Sequence, residues 1–321
     1  MAIDLIELSD RDDAALRRVR LSGRWRAVLT PRRREAIAFY VFMTPWIIGV
    51  LALFVLPLGV TVALSFTKWN LFQAPTWIGL SNYARLLAPG SDFWSALGNT
   101  VYYAAILVPL NLALSMGAAA LLNQKIVFRR FFRTAFYLPS TIPIVAVVML
   151  WSWLLAPAGI LNSLLGRVGI DGPAWLVDPN RVKDGLIIMG VWQLGGGIVL
   201  FLAGMQGVPE MLYEAATLDG ANAWRRFRSI TIPSLSPIIL FNLIIGVIAA
   251  LQVFSQVYIV TQNHNPGAIM IVPLVYSNAF EYGRMGYSSA ISILLVVLIL
   301  ILTLAILKWS RRWVHYESEA V

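Results

Sequence analysis

The sequence predicts an all-α integral membrane protein with six transmembrane helices. Both termini are expected on the cytoplasmic side, with a short cytoplasmic coupling helix between spans four and five. Three observations predict this. First, 59% of the 321 residues are hydrophobic and only 13% are charged, where a soluble domain carries about 25% charged residues. Second, the stretches 38–66, 97–122, 134–156, 185–207, 235–261 and 287–307 are each long and apolar enough to span, which takes roughly 20 residues, and none contains Asp, Glu, Lys, Arg or His. Third, when loops are assigned alternately, nineteen of the 25 Lys and Arg fall on one side. That side is cytoplasmic by the positive-inside rule.

Taken in order, residues 1–37 form a polar tail that turns from acidic (Asp4, Glu7, Asp10, Asp12, Asp13) to basic. It lacks the short basic start and 7–15-residue apolar core of a signal peptide, so a cytoplasmic tail lying in solvent or on lipid is expected. Residues 38–314 form the membrane domain and 315–321 a second cytoplasmic tail. Pro45, Pro57 and Pro109 lie inside spans and should kink them, which neighbouring helices can accommodate. The outer loops are rich in Pro, Gly and Trp. Short interfacial helices are expected near 82–87 and 160–165, and Asp171-Gly172-Pro173 and Asp178-Pro179 carry turn chemistry.

Several function classes are excluded. The net charge of +9 sits beside apolar runs, which fits anchoring at the membrane and not nucleic-acid binding. There is no Cys, and the two histidines, His264 and His315, lie on different loops, so no metal site is expected. No nucleophile–base pair points to an enzyme. A proton- or ion-coupled carrier needs an ionisable group within the membrane, and the spans hold none. A phosphate-binding loop needs Gly directly before Lys, and no Lys here follows Gly. The chain therefore either conducts passively, as an ATP-independent channel or carrier, or is powered by a partner.

The loop between spans four and five is the most informative segment. Pro209 suits a first helical position and Glu210 complements the helix dipole. "PEMLYEAATLD" reads as a helix with Met211, Ala215 and Leu218 on one face and Leu212 and Ala216 beside them. Gly220 fits a left-handed helix end, and Asp219 is a candidate cap for the next helix. "ANAWRRFRSI" reads as that second helix, where Trp224, Arg225, Arg226 and Arg228 suit the membrane surface. The alanines let another surface approach closely, and Glu214 offers it a fixed charge.

Glu214, Ala215, Ala216, Gly220, Ile230, Ile232 and Pro233 stand at the spacings of the signature loop of ABC importer permeases. Where this family usually has Leu, this chain has Ile232. "WIGLSNYARLL", "FWSALGNTVYY", "FFRTAFYLPSTIPIVAVVMLWSWLLAPAGILN", "LQVFSQVYIVTQN" and "YGRMGYSSAISILLVVLIL" also resemble the carbohydrate-type permeases of the maltose and glycerol-3-phosphate kind, on the MalF-like side of such pairs. The segment "TQNHNPGAIM" departs from the Gly-Gly-Pro run common there. The resemblance implies a second permease subunit, two ATP-binding subunits that hold ATP and Mg, and an external solute-binding protein. It also implies that Glu214, Ala215, Ala216, Asp219 and Gly220 form the site where an ATP-binding subunit docks. No cofactor is then expected in this chain, which would sit in a prokaryotic inner membrane.

For the pathway, Asn242, Gln252 and Gln256 fall within about an 80° sector if the fifth span is one helix, and polar amides on one face of a membrane helix point inward. Gln193 precedes Gly195-Gly196-Gly197, a run that reads as a closely packed or flexible segment. Asn111 reads as structural, and Tyr258 falls on the face opposite the amides. With no cation in the spans, a neutral sugar or oligosaccharide is the expected solute. Glycerol-3-phosphate or another polyol is the alternative.

Overall fold

The computed structural model describes residues 31–124, 127–261 and 265–315. The polar tail before residue 31, Lys125, His264 and the last six residues lie outside them. The described chain divides into two compact units, one up to Val60 and one from Thr61.

The first unit is a helical rod. Helix α1 (Pro31–Val50) contains Pro45 and runs into a π-helical turn, Leu51–Val55. Helix α2 (Leu56–Ser65) follows directly. Pro57 has no N–H to give to the carbonyl four residues back. The helix widens just before it, so that the Leu56 N–H reaches the Leu51 carbonyl, an accommodation typical of π-bulges.

The second unit takes in the end of α2 and then a small hairpin of two-residue strands, β1 (Thr67–Lys68) and β2 (Thr76–Trp77). Thr67 is paired with Trp77 and Lys68 with Thr76 in antiparallel register. Trp77 stacks on Phe66 with ring centroids 5.5 Å apart. Helix α3 (Ser81–Leu87) follows. Its buried Asn82 ties the hairpin down by donating to the carbonyls of Ser65 and Thr67, at 2.8 and 2.9 Å.

Helix α4 (Asp92–Asn123) is the mast of this unit. At 1.5 Å per residue its 32 residues reach about 48 Å, enough to cross a bilayer with turns to spare. Pro109 lies within it without ending it. Against α4 pack α8 (Val182–Trp192), α9 (Gly195–Gly207), α12 (Ser236–Leu251) and α14 (Ile271–Tyr276). The main core gathers Tyr103, Leu107 and Val108 of α4 with Leu186, Met189, Leu251 and Ile271. A second cluster joins Ala119 and Leu122 to Phe201, Met205 and Leu235. The last helix, α15 (Met285–Ser310), lies on α14 and α3.

Among the described residues, four helices are long and apolar enough to cross a membrane, and up to six if two bent pairs each count as one span. The third stretch, 134–156, is not a straight helix. Helix α5 (Arg129–Tyr137), a 3-10 turn (Leu138–Thr141) and α6 (Ile144–Leu154) form a pair bent by 101°. Pro143 explains the break. A proline disfavours the helical region for the residue before it, and Ile142 is extended at φ −78°, ψ 132°. The fourth stretch bends by 45° between α8 and α9. The fifth counts as one span, Ser236–Thr261, with a short irregular step between α12 and α13 (Ser255–Thr261). Both short helices expected in the loops, near 82–87 and 160–165, form, as α3 and as α7 (Ile160–Arg167).

Candidate functional site

Two features carry chemistry: an exposed helical loop and an uncharged cavity. The loop begins with α10 (Glu210–Leu218), entered through Pro209. Its end is a complete left-handed cap. Gly220 has φ +75°, its N–H donates to the Thr217 carbonyl at 3.0 Å, and the Ala221 N–H donates to the Ala216 carbonyl at 2.9 Å. These are the two bonds of the Schellman motif, which glycine favours because it has no Cβ to clash at positive φ. The next short helix, α11 (Ala223–Arg226), is capped by Asn222 and not by Asp219. The Asn222 side chain accepts from the Arg225 N–H at 2.8 Å, the Asn geometry expected at an N-cap.

The two helices are tied back on each other. Arg226 donates to the Thr217 hydroxyl at 2.7 Å, and the hydroxyls of Tyr213 and Thr231 meet at 2.9 Å. Trp224 stacks on Phe227. Glu214, Ala215, Asp219 and Gly220 are exposed and Ala216 is half-exposed. Around them Met211 is 71% and Leu218 is 90% exposed. Glu214 makes no ion pair among the described residues. An apolar ridge with a free carboxylate on a braced helix suits insertion into a protein cleft better than contact with anionic lipid.

The cavity, of about 440 Å³, lies in the bundle and is lined by no charged side chain. Helix α4 contributes Tyr103, Asn111 and Ser115, which lie on one side of the helix at spacings of eight and four residues. Gln193 enters from the α8–α9 bend, Asn242 from α12, and Phe254 and Gln256 from the start of α13. The Tyr103 hydroxyl donates to Gln256 Oε1 at 3.0 Å, and Asn242 Nδ2 to the Ile238 carbonyl at 2.9 Å. Asn111 Oδ1 is buried with no hydrogen-bond partner, a rarity among buried polar atoms. At Gly197 a Cβ would come within 2.8 Å of Ser115 Oγ, so this glycine serves close packing of α9 on α4.

Three of the four amides singled out in the sequence, Gln193, Asn242 and Gln256, therefore line one cavity. Gln252 does not. It caps the end of α12 and is exposed: its N–H still donates to the Ile248 carbonyl at 3.1 Å, so it stands about 80° around the helix from Asn242, beyond the edge of the cavity. Tyr103, Asn111 and Phe254 line the cavity but were not among the amides proposed for it. The polar side chains at 103, 111 and 115 of α4 were the available signal.

An uncharged, largely apolar cavity set with a few amides and hydroxyls, in a bundle of helices long enough to cross a membrane beside a braced loop, fits a membrane transport subunit. The chain belongs to the family described as binding-protein-dependent transport system inner membrane component, which matches residues 110–316. Among similar proteins, the probable ABC transporter permease protein YesP of Bacillus subtilis is 39% identical, over 89% of this chain and 94% of that protein. The arabinooligosaccharides transport system permease protein AraP of the same organism is 33% identical over 84% and 88%. The trehalose/maltose transport system permease protein MalF of Thermococcus litoralis is 33% identical over 87% and 95%. In solved structures, a chain of a bacterial ABC transporter involved in the import of the acidic polysaccharide alginate superposes with a TM-score of 0.74, at 26% identity over 87% of this chain and 96% of that one. The chain is accordingly a multi-pass membrane permease.

Proposed function

We propose that this chain is one of two permease subunits of an importer that moves a neutral sugar or oligosaccharide, delivered by an external solute-binding protein and driven by two ATP-binding subunits. Residues 38–314 are the permease domain, with six spans and both tails cytoplasmic. The observation that carries the reading is α10, an exposed helix with an apolar ridge, a free Glu214 and a capped end at Gly220, placed at the family's signature loop. An ATP-binding subunit docks there, with Glu214 meeting a basic group in its cleft. ATP and Mg sit on that subunit, and this chain supplies no ATPase site. Closure of the ATP-binding pair pulls on the loop. The braces Arg226–Thr217 and Tyr213–Thr231 transmit the pull to the helices that follow, and α12 and α13 border the cavity.

The cavity then takes the solute. Its amides and hydroxyls exchange hydrogen bonds with sugar hydroxyls, and its lining offers no charge to a phosphate or carboxylate. Relatives named for arabinooligosaccharides and for trehalose/maltose support an oligosaccharide. Glycerol-3-phosphate or another polyol is the second reading, and a passive channel the third. Uptake in proteoliposomes holding the whole complex, with labelled sugars and glycerol-3-phosphate outside and ATP inside or omitted, separates them. Sugar uptake that needs both the binding protein and internal ATP is expected. Uptake of the phosphate ester alone, or uptake without ATP, sinks the reading.

A further inference from the structure

Four aromatic rings continue the cavity wall outward. Phe254, which lines the cavity, stacks on Tyr258 with centroids 5.2 Å apart and planes at 19°. Both meet Tyr276 of α14, at 5.2 and 4.9 Å. Tyr276 in turn meets Phe280 at 5.1 Å. The pairs 254/258 and 276/280 are each spaced four residues apart, so each pair lies on one side of its helical segment, and the two pairs face each other. The row ends at the surface, where Phe280 is 66% exposed. Beside it, the Tyr258 hydroxyl donates to Glu281 Oε1 at 3.3 Å, and Glu281 makes no ion pair among the described residues.

Two ordinary explanations fit poorly. A packed core would bury the rings, yet Phe254, Tyr258 and Tyr276 are half-exposed. A lipid-facing belt would not place a carboxylate among its rings, since charge on a lipid face is costly. Half-exposed rings beside a carboxylate without an ion pair, which accepts from Tyr258 and has lone pairs to spare, match a ligand with apolar C–H faces and hydroxyl donors.

The geometry points to Phe254, Tyr258, Tyr276 and Phe280 as an aromatic ladder that binds successive pyranose or furanose rings on their way into the cavity, with Glu281 accepting from their hydroxyls. This rests on reading the chain as a sugar permease subunit, with the loop around Phe280 on the outer side. Each ring face attracts the slightly positive C–H edges of a sugar. The ladder therefore favours longer oligomers, which cover more rungs at once.

The test uses the complete transporter in proteoliposomes with maltose to maltopentaose and the arabinobiose to arabinopentaose series as probes. Tyr258→Leu and Phe280→Leu should each raise KM for the tetramer and pentamer about fivefold, the effect of removing one ring contact of about 1 kcal/mol, while the dimers shift less than about twofold. The ring-keeping variants Tyr258→Phe and Phe280→Tyr should retain the preference for longer oligomers. A KM shift equal at every length, or none, overturns the ladder. So does loss of the second permease subunit on purification of Phe280→Leu, which would assign that ring to the subunit interface. A wild-type complex that takes up neither series sinks the sugar reading and the ladder with it. A wild-type complex that transports while the leucine variants match it sinks the ladder alone.

Discussion

Gly220→Ala isolates the end of α10 from everything around it. Gly220 sits at φ +75°, and a Cβ added there meets nothing within 4 Å. The substitution therefore introduces no clash, only the cost of holding an L-residue in the left-handed region, about 1–2 kcal/mol. Uncapping relieves that cost at the loss of the Ala221–Ala216 and Gly220–Thr217 hydrogen bonds, which on an exposed loop are exchanged for water at about 0.5 kcal/mol each, so the free loop shifts toward the uncapped form by up to about 1 kcal/mol. If the capped helix is the form that docks, docking must restore it, and the ATP-binding subunit should bind about two- to sixfold more weakly. Gly220→Asn is the control, since asparagine tolerates the left-handed region, and it should stay within about 1.5-fold of wild type. The assay is titration of the ATP-binding subunit onto the permease pair in nanodiscs, read by biolayer interferometry. Equal losses for Ala and Asn would show that the backbone conformation is not the cause. Unchanged binding for Gly220→Ala would show that the capped helix does not dock.

Further expectations concern the other residues. Glu214→Lys should leave the subunit inserted, because an exposed side chain without an ion pair shifts stability by only about 0.5 kcal/mol or less. It should nevertheless weaken docking or uncouple transport, so normal uptake with normal ATPase stimulation would refute the docking role. Gly197→Val drives a side chain toward Ser115 Oγ and should destabilise the bundle by about 1–3 kcal/mol, seen as earlier thermal aggregation of the detergent-solubilised subunit. Asn111→Leu removes a buried acceptor that lacks a partner in this chain. It should spare stability, yet raise KM for the transported sugar about threefold or more by taking an amide out of the cavity lining, as measured by initial uptake rates.

Much of the fold was legible because the bilayer is a strict solvent. Helix α4 follows from one unbroken apolar run, since a chain in lipid must satisfy its backbone internally. The loop was legible for a local reason: Pro209, Glu210 and Gly220 are start and stop signals whose effect does not depend on tertiary context. Asp219, a candidate cap, gives way to Asn222 three residues on, because either side chain has the chemistry and only the turn at Gly220 decides between them. The break in the third stretch was written in Pro139 and Pro143, but apolar content hid it. The interruption after Leu251 has no Pro or Gly to announce it. Gln252, at the edge of the sector that the three amides share, falls outside the cavity, and Gln256 lies beyond the interruption and lines it. Tyr258 does not line the cavity; its ring stacks on Phe254, which does.

The most direct test of docking is proximity at the loop. The chain contains no cysteine, so Ala215→Cys places a single thiol on the exposed face of α10. In the assembled complex, a short bifunctional reagent should link that thiol to a cysteine placed in the cleft of the ATP-binding subunit, with a yield that changes when ATP is added. Docking at α10 predicts efficient linking at Ala215→Cys and little at Arg228→Cys, near the far end of the loop. Equal yields at both positions, or none at Ala215→Cys in a complex that still transports, would contradict it.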